Sequence, residues 1–286
     1  MMPDADDTTD YKAQYTLVNY VCAFGDLLGM RCNLLKLDKA FESGDREIIT
    51  QVLRDSVFEI DALRKTFSKF EADASKLLAE SPKTARAEEM LIPNVDVGWF
   101  SDSITANVEV GQKPLPAVMA SIFCLFMSLS STFLFAISQK VFLRMGIAYG
   151  PCIRLAGGEI CGAGSVRAYA LETDVAVYPR IVVEDRVVEY LKSVNRNAEE
   201  SFESNVAGHV AGTSLSLISR DSDGQWILDP LGQGFHHLVP NMKDSNYAKA
   251  AAFNAREQEQ KWRTLGNEKI HHKFQWLVQY FRKRGL

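Results

Sequence analysis

Two short apolar runs, separated by a long amphipathic stretch, dominate the first third of the chain. Val18–Gly25 and Val97–Ser101 are rich in β-branched and aromatic residues, which is typical of buried strands. Between them, Leu28–Glu80 carries apolar residues at helical spacing along one face. Each apolar run is closed by an aspartate, Asp26 or Asp102. We therefore expect two adjacent strands that bring these two carboxylates together at one edge of a sheet.

The rest of the pattern predicts strands and helices mixed along the chain. The predicted strands are Tyr15–Gly25, Asn94–Phe100, Asp102–Val110, Met145–Ile153, Glu159–Cys161, Arg180–Val183, Ser214–Ser219 and Gln225–Leu228. Besides Leu28–Glu80, the predicted helices are Leu115–Ser138, Ser165–Val175, Asp185–Val194, Ser245–Leu265 and Asn267–Arg284. The polar segment Asn195–Gly212 is interpreted as a loop. Elements in this order favour an α+β palm, a central sheet covered by helices.

The length of 286 residues indicates one generous domain with elaborations. Residues 1–14 form a predicted disordered acidic tail, whose polar composition is unlike that of a signal or transit peptide. We expect a catalytic domain over residues 15–242, with C-terminal helices over 243–286 packed on the same domain.

Composition excludes one class of partner and indicates a compartment. A net charge of −4 and a pI near 5.8 argue against a nucleic-acid-binding protein, which usually carries a basic excess. The five cysteines show no metal-ligand spacing, and their odd number and apolar neighbours favour reduced thiols in a cytoplasmic protein.

The segment Leu115–Ser138 contains no charged residue and is long enough to span a bilayer. It is also rich in serine and threonine and is followed directly by a strand pattern. We favour a buried core or interface helix over a membrane span, and expect no membrane partner.

Converging carboxylates are hard oxygen ligands suited to Mg²⁺ or Mn²⁺, ions that also hold the phosphates of a substrate. After Asp26 come Leu27, Leu28 and Gly29, where a helix is predicted to begin. The N-terminus of a helix offers free N–H groups and partial positive charge to a polyphosphate.

Taken in order, these features resemble the catalytic domain of class III nucleotide cyclases. Arg144–Gly150 is similar to the Arg-x-Gly-Ile-x-x-Gly strand of that family. Ala168–Glu172 and Ala176–Val183 are similar to a narrower bacterial branch, the pyrimidine nucleotide cyclases of the anti-phage Pycsar systems. The resemblance implies a cyclase-like palm with a central, mostly antiparallel sheet covered by helices.

The resemblance also implies an activity: conversion of UTP or CTP to the 3′,5′-cyclic monophosphate and pyrophosphate. Asp26, Asp102 and the carbonyl of Leu27 would hold two Mn²⁺ or Mg²⁺ ions in each site. Leu27, Leu28 and Gly29 would lie along the nucleotide. A homodimer is implied, because class III sites form between two palms. The product would be a second messenger in anti-phage defence, acting on a separate effector protein.

At other family positions this chain departs from the common pattern. Gly98 stands where the wider family carries a base-reading lysine, four positions before Asp102, and Glu159 lies close to its second base-reading position. Val166 and Ala170 stand where an asparagine and an arginine usually meet the ribose and the phosphate. Arg167 and Arg180 are candidate replacements, because a guanidinium donates bidentate hydrogen bonds to phosphate oxygens.

Two alternatives stay open. The missing Asn/Arg pair would suit a non-catalytic cyclase-like module that senses nucleotides or mediates interactions. An ATP or GTP cyclase is the third interpretation, and Gly98 disfavours it.

Overall fold

The computed structural model describes residues 15–80, 84–199 and 201–286, and it contains an eight-stranded sheet. The strands are β1 (Val18–Leu27), β2 (Asp96–Phe100), β3 (Ser103–Val110), β4 (Leu143–Arg154), β5 (Ile160–Gly162), β6 (Ile181–Val183), β7 (Ile218–Arg220) and β8 (Trp226–Leu228). The predicted tail over residues 1–14 and the predicted helix stop at residues 81–83 lie outside the described residues.

Helices flank the sheet on both faces. They are α1 (Met30–Ser43), α2 (Arg46–Leu53), α3 (Glu59–Glu80), α4 (Ala85–Met90), α5 (Leu115–Ser138), α6 (Ala163–Ala170), α7 (Asp185–Arg196), α8 (Phe202–Ser216), α9 (Gln233–Leu238), α10 (Asn246–Thr264) and α11 (Glu268–Lys283). A π-helical turn, Arg54–Phe58, joins α2 to α3, and a second, Leu171–Val175, follows α6.

The sheet runs in the order β2-β3-β1-β4-β6-β8-β7, with β5 paired to β4. All pairs are antiparallel except β4 with β6. The predicted α+β class, with a mostly antiparallel central sheet covered by helices, is therefore confirmed. The predicted hairpin places Asp102 in the turn between β2 and β3.

Alternate residues of β1 serve two different surfaces, because successive side chains of a strand point to opposite faces. Val21 and Ala23 belong to the large core that the sheet shares with α5. Tyr20 and Cys22 belong to a smaller cluster beneath α6. We call this second surface the groove face.

Helix α5 is apolar on every side because it is surrounded. One side faces the sheet, and α3, α8 and α10 pack around the rest. It is the one helix of the described residues long and apolar enough to cross a membrane, and 89% of its most apolar stretch is buried inside the protein. Its hydroxyls tolerate burial by bonding within the helix, as Ser128 donates to the Cys124 carbonyl at 2.6 Å.

The interpretation of Asn195–Gly212 as a loop is wrong over most of its length, because α8 begins at Phe202. The hydroxyl of Ser201 caps the helix by accepting from the Ser204 N–H at 3.0 Å. Buried Ala207, Val210 and Ala211 face the core. Such small residues give little apolar periodicity, so packing on α5 rather than local pattern stabilises this helix. Helix α9 was not predicted either.

The described cysteines are free thiols. Cys22, Cys124 and Cys152 are buried and Cys161 is exposed, while the Cys32 side chain lies outside the described residues.

Candidate active site

Three cross-strand rows of side chains build the groove face, because directly opposite residues of paired strands point to the same side. The register gives these rows as Arg144–Asp26–Ser103, then Gly146–Phe24–Thr105–Gly98, then Ala148–Cys22–Asn107–Asp96. We call them the carboxylate row, the middle row and the amide row. The first lies where β1 ends, and the other two follow toward the centre of the sheet.

The structure brings Asp26 and Asp102 together, as the sequence predicts. Both line one small cavity, and the Ser103 hydroxyl, next to Asp102, donates to Asp26 Oδ1 at 3.4 Å. Burial, and secondly the charge of Asp102, raise the pKa of Asp26, while Arg144 opposes the rise. A carboxylate whose charge is disfavoured by burial and by a second carboxylate forms part of a site that gains from binding a cation.

Arg144 is held beside Asp26 by a buried partner. Its Nε contacts the carboxylate of Glu172, which is only 2% exposed. Glu172 reaches this position because the backbone of α6 passes very close to the strand at Gly146. A Cβ added to Gly146 would lie 2.3 Å from the Ala168 carbonyl oxygen. The glycine therefore lets the end of α6 approach the strand closely.

A second cation approaches from the C-terminal helix. The ring of Phe274 in α11 packs edge-on against Phe142 with centroids 4.8 Å apart, just before Arg144. This contact brings the neighbouring Lys273 to the carboxylate row. Burial, then the charges of Arg144 and Lys269, lower the pKa of Lys273. Arg144 therefore lies beside Asp26 with Lys273 near the arginine, and two cations at this end of the site would suit a phosphate chain.

The donor set fits Mg²⁺ or Mn²⁺ held jointly with a substrate. The carboxylates of Asp26 and Asp102 and the carbonyl of Leu27 are hard oxygen donors. Among the residues described, no group of three or more His, Cys, Asp and Glu side chains could hold a metal alone. Ions at this site would therefore need phosphate oxygens to complete their coordination.

The predicted phosphate contacts after β1 differ from one another. The N–H of Leu28 donates to the Phe142 carbonyl at 2.7 Å, so it is already used within the protein. Gly29 precedes the first turn of α1 with a positive φ of 86°, and nothing lies within 4 Å of the position its Cβ would take. Gly29 therefore leaves open space at the start of the helix.

A groove of about 640 Å³ runs along the middle and amide rows. Gly98 and Glu159, the two predicted base-reading positions, both line it. At Gly98 an added Cβ would meet the Thr105 hydroxyl at 2.6 Å, so the groove is open above this strand for lack of a side chain. At its far end, Arg154 forms an ion pair with Asp96.

The structure does not bring the two predicted arginines to the carboxylate row. Arg180 is 2% exposed and is paired with Asp221 at 2.6 Å and Asp223 at 2.7 Å. Arg167 donates to the Tyr149 carbonyl and is paired with Glu184 at 3.0 Å. Both guanidinium groups therefore support the fold here.

The two residues at the positions of the family's Asn/Arg pair, Val166 and Ala170, have no polar side chain. Val166 is 66% exposed on α6 and Ala170 ends that helix. Neither side chain can donate to a ribose or a phosphate.

Sequence reasoning missed three polar residues that the fold places at this site: Arg144, Lys273 and Asn107. Arg144 opens the Arg-x-Gly-Ile motif, so its motif position was an available signal. Lys273 is 129 positions further along the chain, and only the packing of α11 reveals it. Asn107 follows from the strand register, since it lies opposite Cys22 and Asp96.

Comparison with known proteins gives little. No family model matches the chain and no curated protein matches it significantly. Solved structures with some likeness include a guanylyl cyclase (11% identity, 61% of this chain and 78% of that one, TM-score 0.37). Another is the catalytic core of a rhodopsin-guanylyl cyclase with converted specificity, in complex with ATPαS (12%, 63% and 84%, TM-score 0.37).

A third is the dimeric guanylyl cyclase domain of the RhoGC fusion protein from the aquatic fungus Blastocladiella emersonii. It shares 11% identity over 75% of this chain and 96% of that one, again with a TM-score of 0.37. Likenesses this loose decide nothing about the fold, activity or ligands of this chain.

Proposed function

We propose that this protein is a nucleotide cyclase that converts a pyrimidine nucleoside triphosphate, UTP first and CTP second, to its 3′,5′-cyclic monophosphate and pyrophosphate. The observation that carries the proposal is the carboxylate row. It sets Asp26 between Arg144 and Ser103, with Asp102 next to Ser103, and the neighbouring middle row lines a groove of about 640 Å³. The sequence motifs quoted above agree with it.

The reaction needs one bond made and one broken at the α-phosphorus. The ribose 3′-hydroxyl gives its proton to solvent and its oxygen attacks that phosphorus, while the bond to the bridging oxygen breaks and pyrophosphate leaves. Mg²⁺ or Mn²⁺, when bound, supplies an activated 3′-oxygen and charge neutralisation on the leaving phosphates. Asp26, Asp102 and the Leu27 carbonyl would hold these ions. Arg144 and Lys273 would orient the phosphate chain and balance its charge.

The choice of a pyrimidine rests on the middle row. A lysine at position 98 would give the donor that the wider family uses for adenine, and Gly98 removes it. The Thr105 hydroxyl donates to the Gly98 carbonyl at 3.3 Å and lies where a side chain at position 98 would begin. A smaller base would fill what remains of the groove.

The proposed enzyme is a cytoplasmic homodimer, with each palm completing the site of the other. It would need no nucleic acid and no membrane. Its cyclic nucleotide would be a second messenger in anti-phage defence, read by a separate effector protein.

Product analysis tests the proposal. The purified protein is incubated with equal concentrations of the four nucleoside triphosphates and Mn²⁺, and cyclic products are identified by mass spectrometry. We expect cyclic UMP as the main product and none from Asp26→Ala, whereas Asp61→Ala, an exposed aspartate paired with Lys65, retains activity. Cyclic AMP or cyclic GMP as the main product would contradict the pyrimidine assignment.

One observation favours a second candidate, a non-catalytic module that binds nucleotides. Arg167 and Arg180 are both engaged in the fold, and Val166 and Ala170 carry no polar group. Binding of a triphosphate without any cyclic product, at every metal tried, would support this alternative.

A further inference from the structure

We infer that Asn107 reads the base edge of the nucleotide, as a specificity-determining residue for a pyrimidine. This inference rests on the proposed function and names the contact that would set its substrate choice. No sequence motif marks Asn107. Its carboxamide is distinguished by its burial, by its register on β3 and by the absence of a hydrogen-bond partner among the described residues.

Asn107 is a buried polar residue that opens onto the groove. Only 7% of its surface is exposed, yet it belongs to the groove lining. A buried carboxamide normally has its donors and acceptor satisfied, because an unmet group loses its hydrogen bonds to water. Within the described ranges, the side chain of Asn107 has no hydrogen-bond partner.

The neighbouring residues of the amide row do not supply a hydrogen-bond partner for Asn107. Asp96 lies directly opposite on β2, but its carboxylate is engaged by Arg154. Cys22 lies opposite on β1, and its thiol contacts Cys152 at 3.8 Å. The free carboxamide is therefore directed at the groove, where a ligand can satisfy it.

The position along the strand suits a base. Asn107 lies four residues along β3 from Ser103 in the carboxylate row, a rise of about 13 Å. With the phosphates held at Asp26 and Asp102, the ribose would lie over the middle row and the base over the amide row. Gly98 keeps the path between them open.

A carboxamide presents a donor beside an acceptor. Uracil presents the complementary pair, the N3–H donor beside the O4 acceptor, so that two hydrogen bonds can form. A site built to hydrogen-bond one edge rejects an analogue that leaves its groups unpaired. Cytosine reverses the pair and would require the opposite orientation of the carboxamide.

Binding of 3′-deoxynucleoside triphosphates with Mn²⁺ tests the inference without turnover, because these analogues lack the attacking hydroxyl. We expect the wild-type protein to bind the uracil analogue most tightly. Asn107→Leu should weaken it about tenfold, the size of one or two net hydrogen bonds. The adenine analogue, which reverses the pair, should change less than about twofold. Guanine presents the same pair as uracil at N1–H and O6, so its exclusion depends on the size of the base rather than on Asn107. Asn107→Asp keeps an acceptor but loses the donor, so it leaves O4 of uracil or N3 of cytosine unpaired, and the preference between the two pyrimidines should narrow.

Asn254 provides a matched control. It is another buried asparagine, but its Nδ2 donates to the carbonyls of Ile137 and Ser138 at 3.0 and 2.9 Å. Asn254→Leu should lower the Tm and leave base preference unchanged. Asn107→Leu should leave the Tm near that of the wild type and change base preference, because no described hydrogen bond of the fold is lost with this carboxamide.

The outcomes separate the two levels of the proposal. If the wild-type protein binds none of the four analogues, the proposed function fails and this assignment fails with it. If the wild type prefers one base and Asn107→Leu keeps that preference within about twofold, only the assignment of Asn107 is overturned. A fall in Tm equal to that of Asn254→Leu would also overturn it, because it would show a structural role.

Discussion

The Arg144–Glu172 pair is the most consequential contact at the scale of single residues. Burial raises the pKa of Glu172, and the charge of Arg144 is the main opposing influence. Arg144 in turn lies beside Asp26, whose charge it also stabilises. The arginine can therefore have two roles, to neutralise a buried carboxylate and to meet a phosphate. A pair of variants can separate them.

Arg144→Gln is expected to destabilise the protein by about 3 kcal/mol, because it leaves the Glu172 carboxylate buried without its partner. Adding Glu172→Gln should restore most of the free energy of unfolding, measured in urea. Cyclase activity should stay lost in both variants, since the phosphate would still lack its guanidinium. Activity that returned together with stability would show that Arg144 has a structural role alone.

Prediction from sequence was best for residues defined by local pattern. Asp26 and Asp102 each end an apolar run, and Gly98 is fixed by its spacing from Asp102. Asp26 and Gly98 lie on strands, and Asp102 lies in the hairpin turn as predicted. Arg180 could not be placed in this way. Its partners, Asp221 and Asp223, lie in the β7–β8 turn, which reaches Arg180 only because β8 pairs with β6. Such long-range pairings leave no mark on the local sequence.

At the scale of elements, α5 organises the molecule. Its C-terminal end is inside the protein, where the last carbonyls of a helix have no partner in the helix itself. Asn254 of α10 supplies two donors to them from outside, at Ile137 and Ser138. The Ile137 carbonyl also accepts from the Lys140 N–H at 3.0 Å, so Asn254 adds to a backbone cap there and supplies a donor to Ser138 from a distant helix.

Asn254→Leu is expected to lower the free energy of unfolding by about 1–3 kcal/mol, because two hydrogen bonds of a buried carboxamide are lost, although the Ile137 carbonyl keeps the Lys140 N–H. Urea denaturation monitored by tryptophan fluorescence measures the change. Asn246, at the exposed start of α10, provides a control position where the same substitution should cost less. Equal effects at both positions would show that the capping contacts contribute nothing particular.

Elements with strong periodicity were predicted well, and α8 shows the limit. The hairpin of β2 and β3 and the amphipathic α3 each have apolar side chains on one face that must be buried. The apolar α5 has such side chains on all faces. Helix α8 presents alanine, glycine and serine to its neighbours, and these residues give little contrast between faces. Its helical state depends on close contact with α5, which the local sequence does not report.

At the scale of the whole molecule, the burial of α5 has a consequence for handling. With its apolar surface covered by the sheet and by α3, α8 and α10, no side remains to face lipid. The chain expressed without detergent should be recovered folded in the supernatant after ultracentrifugation. Recovery of folded protein only in the membrane pellet would contradict the core assignment of this helix.

The central place of β1 in the sheet also sets an order of events during synthesis. This strand leaves the ribosome before the other strands of the sheet, yet its two neighbours, β3 and β4, are more than seventy residues further along the chain. Neither edge of β1 can be paired until those residues have emerged, and non-local pairing of this kind slows folding. The nascent chain must therefore carry an exposed apolar strand, and then the apolar α5, before either is covered. Chains cut short before Arg154 would expose both, and they are the species on which chaperones and proteases would act.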